Sequence, residues 1–379
     1  MRVALVSGSR SDYGCLRVLY DELQDEGVET YWVDIRHIFD EAQEPLECAW
    51  RAGMAVTETA NNLDDFQPDW VVVFGDRYEI LGATLGAYVA GYPIAHICGG
   101  DITEGSQDDG MRHAITKLAH LHFPDNAESA ARIRQMGEAP GRIHTVGSLE
   151  LDRVARVTKL DRQEVFQRVG LQEPPRALLV SLQPNTLDTT QPELKELDGA
   201  LRALRNDIAL VVVGPNQDAG NERIRQVWRE LVAERELTVY HDELPEEVYL
   251  SLMAHCNAMV GNSSSGLYEA PLFGLPAVNI GDRQLGRNCA ASVIGCQTNK
   301  DKIIEAIHVA FDRGHVFTHQ DSSSNRELGA GRCIARTLSA ITNPESLLRK
   351  PFYEPYSKAF GERNPAILRQ TWLSKASSA

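Results

Sequence analysis

The chain lacks an excess of basic residues, any CxxC pair, a GxGxxG glycine fingerprint, an HExxH metal motif and any long apolar run. Each absence excludes a class of function. With 38 Lys and Arg against 53 Asp and Glu the net charge is −15, which speaks against a general nucleic-acid or anionic-membrane partner, because those surfaces require a basic face. A phosphate held in a local cleft is still compatible with that charge. The seven cysteines, Cys15, Cys48, Cys98, Cys256, Cys289, Cys296 and Cys333, are odd in number and scattered, so neither a disulfide framework nor a zinc site is expected and a reducing compartment fits better. No apolar stretch approaches the roughly 18 residues of a membrane span, and the opening MRVALV runs straight into a strand-like pattern rather than a leader. Together these predict a cytoplasmic protein. His113 and His120 are seven apart, two turns along one helical face and too distant for one ion, so no metal site is predicted. No cofactor is predicted either.

What the chain does have is 379 residues with 43% hydrophobic content, enough for two domains that each bury a core. Buried strands are predicted at 3–7, 70–74 and 93–97, and again at 177–182, 209–213, 238–240, 258–260 and 277–280. Helical patterns fall between them, notably at 15–26, 80–90 and 108–119. Strand–helix alternation of this kind indicates βαβ units and parallel sheets. The fold class is therefore α/β with two doubly wound Rossmann-like domains, at 1–170 and 171–345, followed by a tail at 346–379 that is helical and packs back toward the first domain.

In open α/β sheets ligands sit at the carboxyl ends of strands, and the informative residues cluster there. The stretch GNSSSGLYE (261–269) follows a strand and opens a helix. Its small residues, N–H groups and hydroxyls suit an anion, and Glu269 suits a ribose; an ordinary N-capping turn is the alternative. The GSRSDYG turn (8–14) offers Arg10 to a phosphate or a base, or simply to the surface. Asp101, Glu104, Asp108, Asp109, Arg112 and His113 crowd into a few turns, with Asp76 and Glu79 at a neighbouring strand end. Asp108 suits the N-cap of the helix that follows. Carboxylates held together divide into an acid and a base, and proton abstraction beside an acetamido-bearing carbon requires such a base.

Taken together the motifs GSRSDYG (8–14), FGDRYE (74–79), IAHICGGDITEGSQDDGMRHAITKLAHLHF (94–123), VGS (146–148), PNQDAG (215–220) and VGNSSSGLYEAPLFGLPAVNIGDRQLGR (260–287) resemble those of the hydrolysing UDP-N-acetylglucosamine 2-epimerases of sialic and nonulosonic acid biosynthesis. They span nearly the whole chain in the family's order. The resemblance implies a GT-B-like fold, with the nucleotide in the interdomain cleft and held chiefly by the second domain. It implies elimination of UDP through a 2-acetamidoglucal, then hydration to the free manno sugar. It assigns Ser263, Ser264 and Glu269 to diphosphate and ribose, with Arg10 and Arg287 also at the nucleotide, and Asp76, Asp108 and Asp109 to the sugar chemistry. To these we add Asn216 for the nucleotide, Arg77, Glu104 and Arg112 for the substrate, and Asp101, His113 and Gln183 for catalysis. The implied partner is a UDP-N-acetylglucosamine type of nucleotide-sugar, and a homodimer or homotetramer is implied as well.

The chain departs from the family's pattern at three places. Relatives read FHPVT or QHPVT where this chain reads LQPNT, so Gln183 stands in place of a histidine; glutamine donates a hydrogen bond but delivers no proton near neutrality. Asp101 replaces a glutamate, and Cys98 a histidine or glutamate. Two other functions share the predicted cleft. A GT-B glycosyltransferase has no need of the acidic 101–109 cluster, and a non-catalytic nucleotide-sugar binder is suggested by Gln183.

Overall fold

The computed structural model describes residues 1–39, 45–188, 190–316 and 328–354, with backbone alone for Arg10, Ser11 and Pro45. Its strands are β1 (Arg2–Ser7), β2 (Glu29–Asp34), β3 (Trp70–Phe74), β4 (Ile94–Ile97), β5 (Leu121–Phe123), β6 (Arg176–Ser181), β7 (Ile208–Val213), β8 (Thr238–His241), β9 (Ala258–Gly261), β10 (Ala277–Ile280) and β11 (Val293–Cys296). The helices are α1 (Arg10–Asp25), α2 (Pro45–Phe66), α3 (Tyr78–Val89), α4 (Asp108–Leu118), α5 (Ala127–Gln135), α6 (Leu149–Arg156), α7 (Arg162–Arg168), α8 (Pro192–Ala203), α9 (Asn221–Glu234), α10 (Glu246–His255), α11 (Ser265–Tyr268), α12 (Lys300–Arg313) and α13 (Ala330–Ala340).

The strands form two sheets, ordered β2-β1-β3-β4-β5 and β11-β10-β9-β6-β7-β8, with parallel pairing throughout, as in Val3 opposite Trp70 and Leu178 opposite Ala258. Central strands such as WVVVF in β3 are buried at every position because helices cover both faces. Val3, Leu5 and Val72 pack on one face of the first sheet and Ala4, Val6 and Val71 on the other. The second sheet divides likewise between Leu178, Val180 and Leu210 and Ala177, Leu179 and Val211. The strand orders put a topological switch between β1 and β3 in one sheet and between β6 and β9 in the other, and such crevices are where ligands enter.

Three edge strands are absent from the strands predicted, and β5, though buried, is only three residues long. In β2 only Val33 is buried, and β11 contains Gly295 with no fully buried position, so neither shows an apolar run. Helix α1 starts at Arg10, earlier than the apolar pattern suggests, because Ser9 and Asp12 form a capping box. Asp108 is the first residue of α4 and not its N-cap; Gln107 holds that position without a side-chain cap.

Helix α13 crosses back to the first sheet. Ala330, Ile334, Ala335 and Leu338 are fully buried in the first core, and the Asp152 carboxylate of α6 accepts the N–H groups of Gly329 and Gly331 at 2.6 and 2.9 Å. The chain thus returns to the first half before residue 346, the point expected from sequence. The described part of the tail follows it there. Arg142 donates to the Leu347 and Arg349 carbonyls at 2.7 and 2.8 Å, and Lys350 reaches the buried Glu138 at 3.1 Å. Apart from a short 3-10 turn at Pro344–Leu347 this stretch is not helical; residues 355–379 lie outside the described residues.

Two buried histidines make stability sensitive to acid. Burial holds His96 down at about 3 and His120 at about 4. Below pH 6.5, the ordinary histidine value, the unfolded chain takes up these protons and the folded chain does not. Stability from these groups is therefore complete above pH 6.5 and declines beneath it, by up to about 1.4 kcal/mol per pH unit for each. Glu79, whose burial holds its proton up to about 7, offsets part of this loss; in Glu79→Gln, where that offset is gone, urea midpoints should drop clearly from pH 7.5 to 5.5, and identical midpoints would contradict it.

Candidate active site

A cavity of about 710 Å³ lies between the two sheets and takes its walls from the loops at their carboxyl ends. Gly8 and Ser9 after β1, Asp76 and Arg77 after β3, and Asp101 and Asp108 after β4 face Gln183, Asn216, Ser263, Ser264 and Arg287 from the second half. Residues far apart in sequence therefore share one cleft. The side chain of Arg10 lies outside the described residues, although its loop lines the wall.

The first wall is organised around Arg112, a fully buried guanidinium. It pairs with the Asp76 carboxylate, and donates to the Asp101 carbonyl at 3.0 Å and the Thr103 hydroxyl at 2.9 Å. Arg287 comes from the opposite wall to the same Thr103 hydroxyl at 2.8 Å and approaches Asp76 at 3.6 Å. Tyr268 donates its hydroxyl to Asp101 at 2.8 Å. The peptide that carries Asp76 is pinned from behind. The Gly75 carbonyl can only accept, so His96 Nε2, 2.8 Å away, carries the proton between them.

Asp76 and Asp108 are electrostatically coupled and pulled apart. Burial pushes Asp76 up, but Arg112 and Arg287 outweigh it and hold the group below the usual carboxylate range. Asp108 is pushed up, first by burial and then by the charge of Asp76. Asp76 is therefore the weaker base of the two and Asp108 the stronger, a difference that an acid–base site needs.

Not every predicted residue reaches the cavity. Asp109 turns away, its Oδ1 accepting the Thr103 N–H at 2.5 Å, with His113 on its other oxygen at 3.6 Å. Neither Asp109 nor His113 lines the cavity, nor does Glu104, whose backbone N–H donates to the Leu285 carbonyl at 2.9 Å across the cleft. Glu269 also lies behind the wall, paired with Arg153 of α6. Arg77 does line it, but its guanidinium is already engaged, with Glu79 at 2.8 Å and with Asp218 of the second half at 2.9 Å.

The two strand-end loops treat an anion differently. After β1 the N–H groups of Gly8 and Ser9 both donate to the Asp12 carboxylate, at 3.0 and 2.9 Å, so that turn is already supplied with negative charge. After β9 the serines share the cavity wall with two arginines. Helix α11 is a single turn, too short for the helix dipole that the sequence suggested to count for much. The positive charge comes from Arg287 and from Arg283, which is buried and donates to the Pro184 and Asn262 carbonyls at 3.2 and 3.3 Å. Among the described residues Arg283 has no carboxylate at ion-pair distance, and burial lowers its proton affinity. A buried guanidinium in that state favours an arriving anion.

Gln183 is fixed on three sides. Asn262 brackets its backbone, accepting the N–H at 2.6 Å and donating to the carbonyl at 2.9 Å. The Gln183 side-chain oxygen accepts the Asn216 N–H at 2.7 Å. Residue 183 thus joins the loops after β6, β7 and β9, its backbone holding the loop after β9 and its side chain the loop after β7.

Asp12, Asp218, Tyr268 and Arg283 were not picked out from sequence. Arg283 carried a signal, since it sits in the same GDRQLGR run as Arg287. The others owe their place to contacts between distant loops.

Known proteins share this architecture. The crystal structure of Methanocaldococcus jannaschii UDP-GlcNAc 2-epimerase in complex with UDP-GlcNAc and UDP superposes with a TM-score of 0.74 at 16% identity, over 90% of this chain and 100% of that one; this likeness is one of fold, GT-B-like and two-domain. In sequence the chain is 33% identical over 249 residues to the GDP/UDP-N,N'-diacetylbacillosamine 2-epimerase (hydrolyzing) of Campylobacter jejuni, 65% of each chain. It is 32% identical over 301 residues to the UDP-N-acetylglucosamine 2-epimerase of Neisseria meningitidis serogroup B, 78% of this chain and 76% of that protein. The match thus spans a little under two thirds of the length of the Campylobacter protein. Residues 22–342, both sheets almost entire, match the family described as UDP-N-acetylglucosamine 2-epimerase, and it is to this family that the chain belongs.

Proposed function

We propose that this protein is a hydrolysing 2-epimerase of a UDP-linked 2-acetamido hexose, releasing UDP and the free 2-epimer, N-acetylmannosamine when the sugar is N-acetylglucosamine. The observation that carries the reading is the opposition of Asp76 and Asp108 on one wall to Arg283 and Arg287 on the other. The diphosphate belongs against the arginines and against Ser263 and Ser264, and the sugar against the carboxylates. Asp108 is the better proton carrier of the pair, because burial and the charge of Asp76 raise its proton affinity while Asp76 itself is held down by its arginines. It removes the proton at C2 as UDP departs, and a 2-acetamidoglucal forms. Water then adds at C1 and passes its proton to the Asp101 carboxylate, which Tyr268 holds in position and which delivers that proton to the other face of C2, while Asp108 gives the first proton up to solvent. Asp76, locked between arginines, keeps its charge and orients them.

The test is a panel of nucleotide-sugars without any acceptor, followed by NMR. Free sugar with inverted C2, together with UDP, is the expected product. Transfer only when an acceptor is added would instead indicate a glycosyltransferase, and binding without turnover a simple binder.

Gln183 fits the proposal as a tie between loops rather than as an acid. Gln183→His is expected to change kcat by less than about tenfold, roughly 1.4 kcal/mol of barrier. A rise of about 10²-fold or more on the same panel would show that the native site lacks an acid it needs.

A further inference from the structure

Glu79, in the first turn of α3, lines the cavity yet is only 3% exposed. One of its carboxyl oxygens, Oε1, accepts from Arg77 at 3.1 and 2.8 Å. The other, Oε2, is buried and has no hydrogen-bond partner among the described residues. Leaving such an acceptor unmet is unfavourable, and among the described residues it is the one carboxylate oxygen that is buried without a partner. The position is a committed one. Gly8 of the β1 loop approaches so closely that a Cβ there would stand 2.7 Å from the Cβ of Glu79, which wedges the carboxyl into the switch point between β1 and β3. It lies on the wall that carries Asp76 and Asp108, away from the arginines that favour an anion.

We propose that Glu79 is a sugar-recognition residue, its Oε2 accepting a hydrogen bond from a hydroxyl or amide N–H on the hexose. This rests on the nucleotide-sugar reading above and narrows it. The sugar must keep a donor at the ring position that meets Glu79; a hydroxyl or an acetamido N–H satisfies it, and a deoxy or O-alkylated position does not. The ion pair with Arg77 favours the carboxylate, hence acceptor chemistry, once a donor arrives. In the ligand-free protein burial pushes Glu79 up to about 7, against the pull of Arg77 and helped by Asp218. The titratable and charged groups that face it are Arg77, Tyr78, Asp218 and Cys48 of α2.

Glu79→Gln keeps the shape and an oxygen for Arg77 but replaces the lone acceptor with a donor. The expected result is a rise of about tenfold in KM for the nucleotide-sugar, with kcat within about threefold and inhibition by UDP unchanged. Native affinity for the nucleotide-sugar should tighten as pH rises through about 7, and this dependence should vanish in the variant. Thermal shifts with UDP and with the nucleotide-sugar give the same comparison without turnover. A native protein that binds but never turns over would thus sink the epimerase reading and still test Glu79. On the native protein, one deoxy analogue should lose affinity by about the same factor, and the variant should not distinguish that analogue from its parent. Equal weakening of UDP and nucleotide-sugar would reduce Glu79 to a structural role, and no weakening of either would overturn the proposal outright.

Discussion

Asp108→Asn is expected to lower kcat by about 10²–10⁴-fold with little change in KM, the range lost when a positioned acid or base is removed. The side chain lines the cavity, and its proton affinity is raised by burial and by Asp76. Its neighbour supplies the control. Asp109→Asn removes a carboxylate that faces the Thr103 N–H and not the cavity. It should perturb the 101–109 loop, lowering stability by about 1 kcal/mol while kcat falls by less than about tenfold. Steady-state kinetics and urea unfolding of both variants check this. The reverse ranking, with Asp109→Asn the more damaging to kcat, would return the chemistry to Asp109.

Arg112→Met is expected to be the most destabilising single change at the site, by about 3–5 kcal/mol, because it leaves partners buried without their cation. Arg112 satisfies the Asp76 carboxylate, the Asp101 carbonyl and the Thr103 hydroxyl at once. Its loss also releases Asp76 from the charge that chiefly offsets burial, so Asp76 takes up a proton more readily and no longer pushes Asp108 up. Turnover should therefore fall by at least about 10²-fold even in the folded fraction. Arg112→Lys keeps the charge but loses the planar fork, and should lie between the two in both stability and rate. Native-like urea midpoints for Arg112→Met would show that the cluster tolerates an apolar replacement.

Sequence legibility followed burial and locality. A strand buried on both faces, such as residues 70–74, stands out as an apolar run and is legible to the residue, as is 277–280 although Asn279 interrupts it. The half-exposed edges β2 and β11 do not, and buried β5 is too short at three residues to form a run. Strand-end loops announce themselves through glycine and polar residues, so the cleft and most of its walls could be read. Which of two adjacent aspartates faces the cleft could not be, since that depends on how the 101–109 loop meets Leu285 and Arg287 across it. The engagement of Arg77 by Asp218, and of Glu269 by Arg153, likewise depends on side chains more than 100 positions away. Arg283 is legible from its place in the same run as Arg287, and its burial without a paired carboxylate among the described residues adds to that signal.

The return of α13 to the first sheet sets an order on how this chain can be completed during its own synthesis. The second sheet is made and can close before residues 330–340 leave the ribosome, whereas the first sheet, made earlier, must wait for them to cover α1 and α6. Until then Val18 and Leu149, which later pack against Gly331, are open to water or to other chains. The half that is translated first is therefore the half that finishes last, and a chain that stalls after α12 but before α13 exposes its first sheet rather than its second.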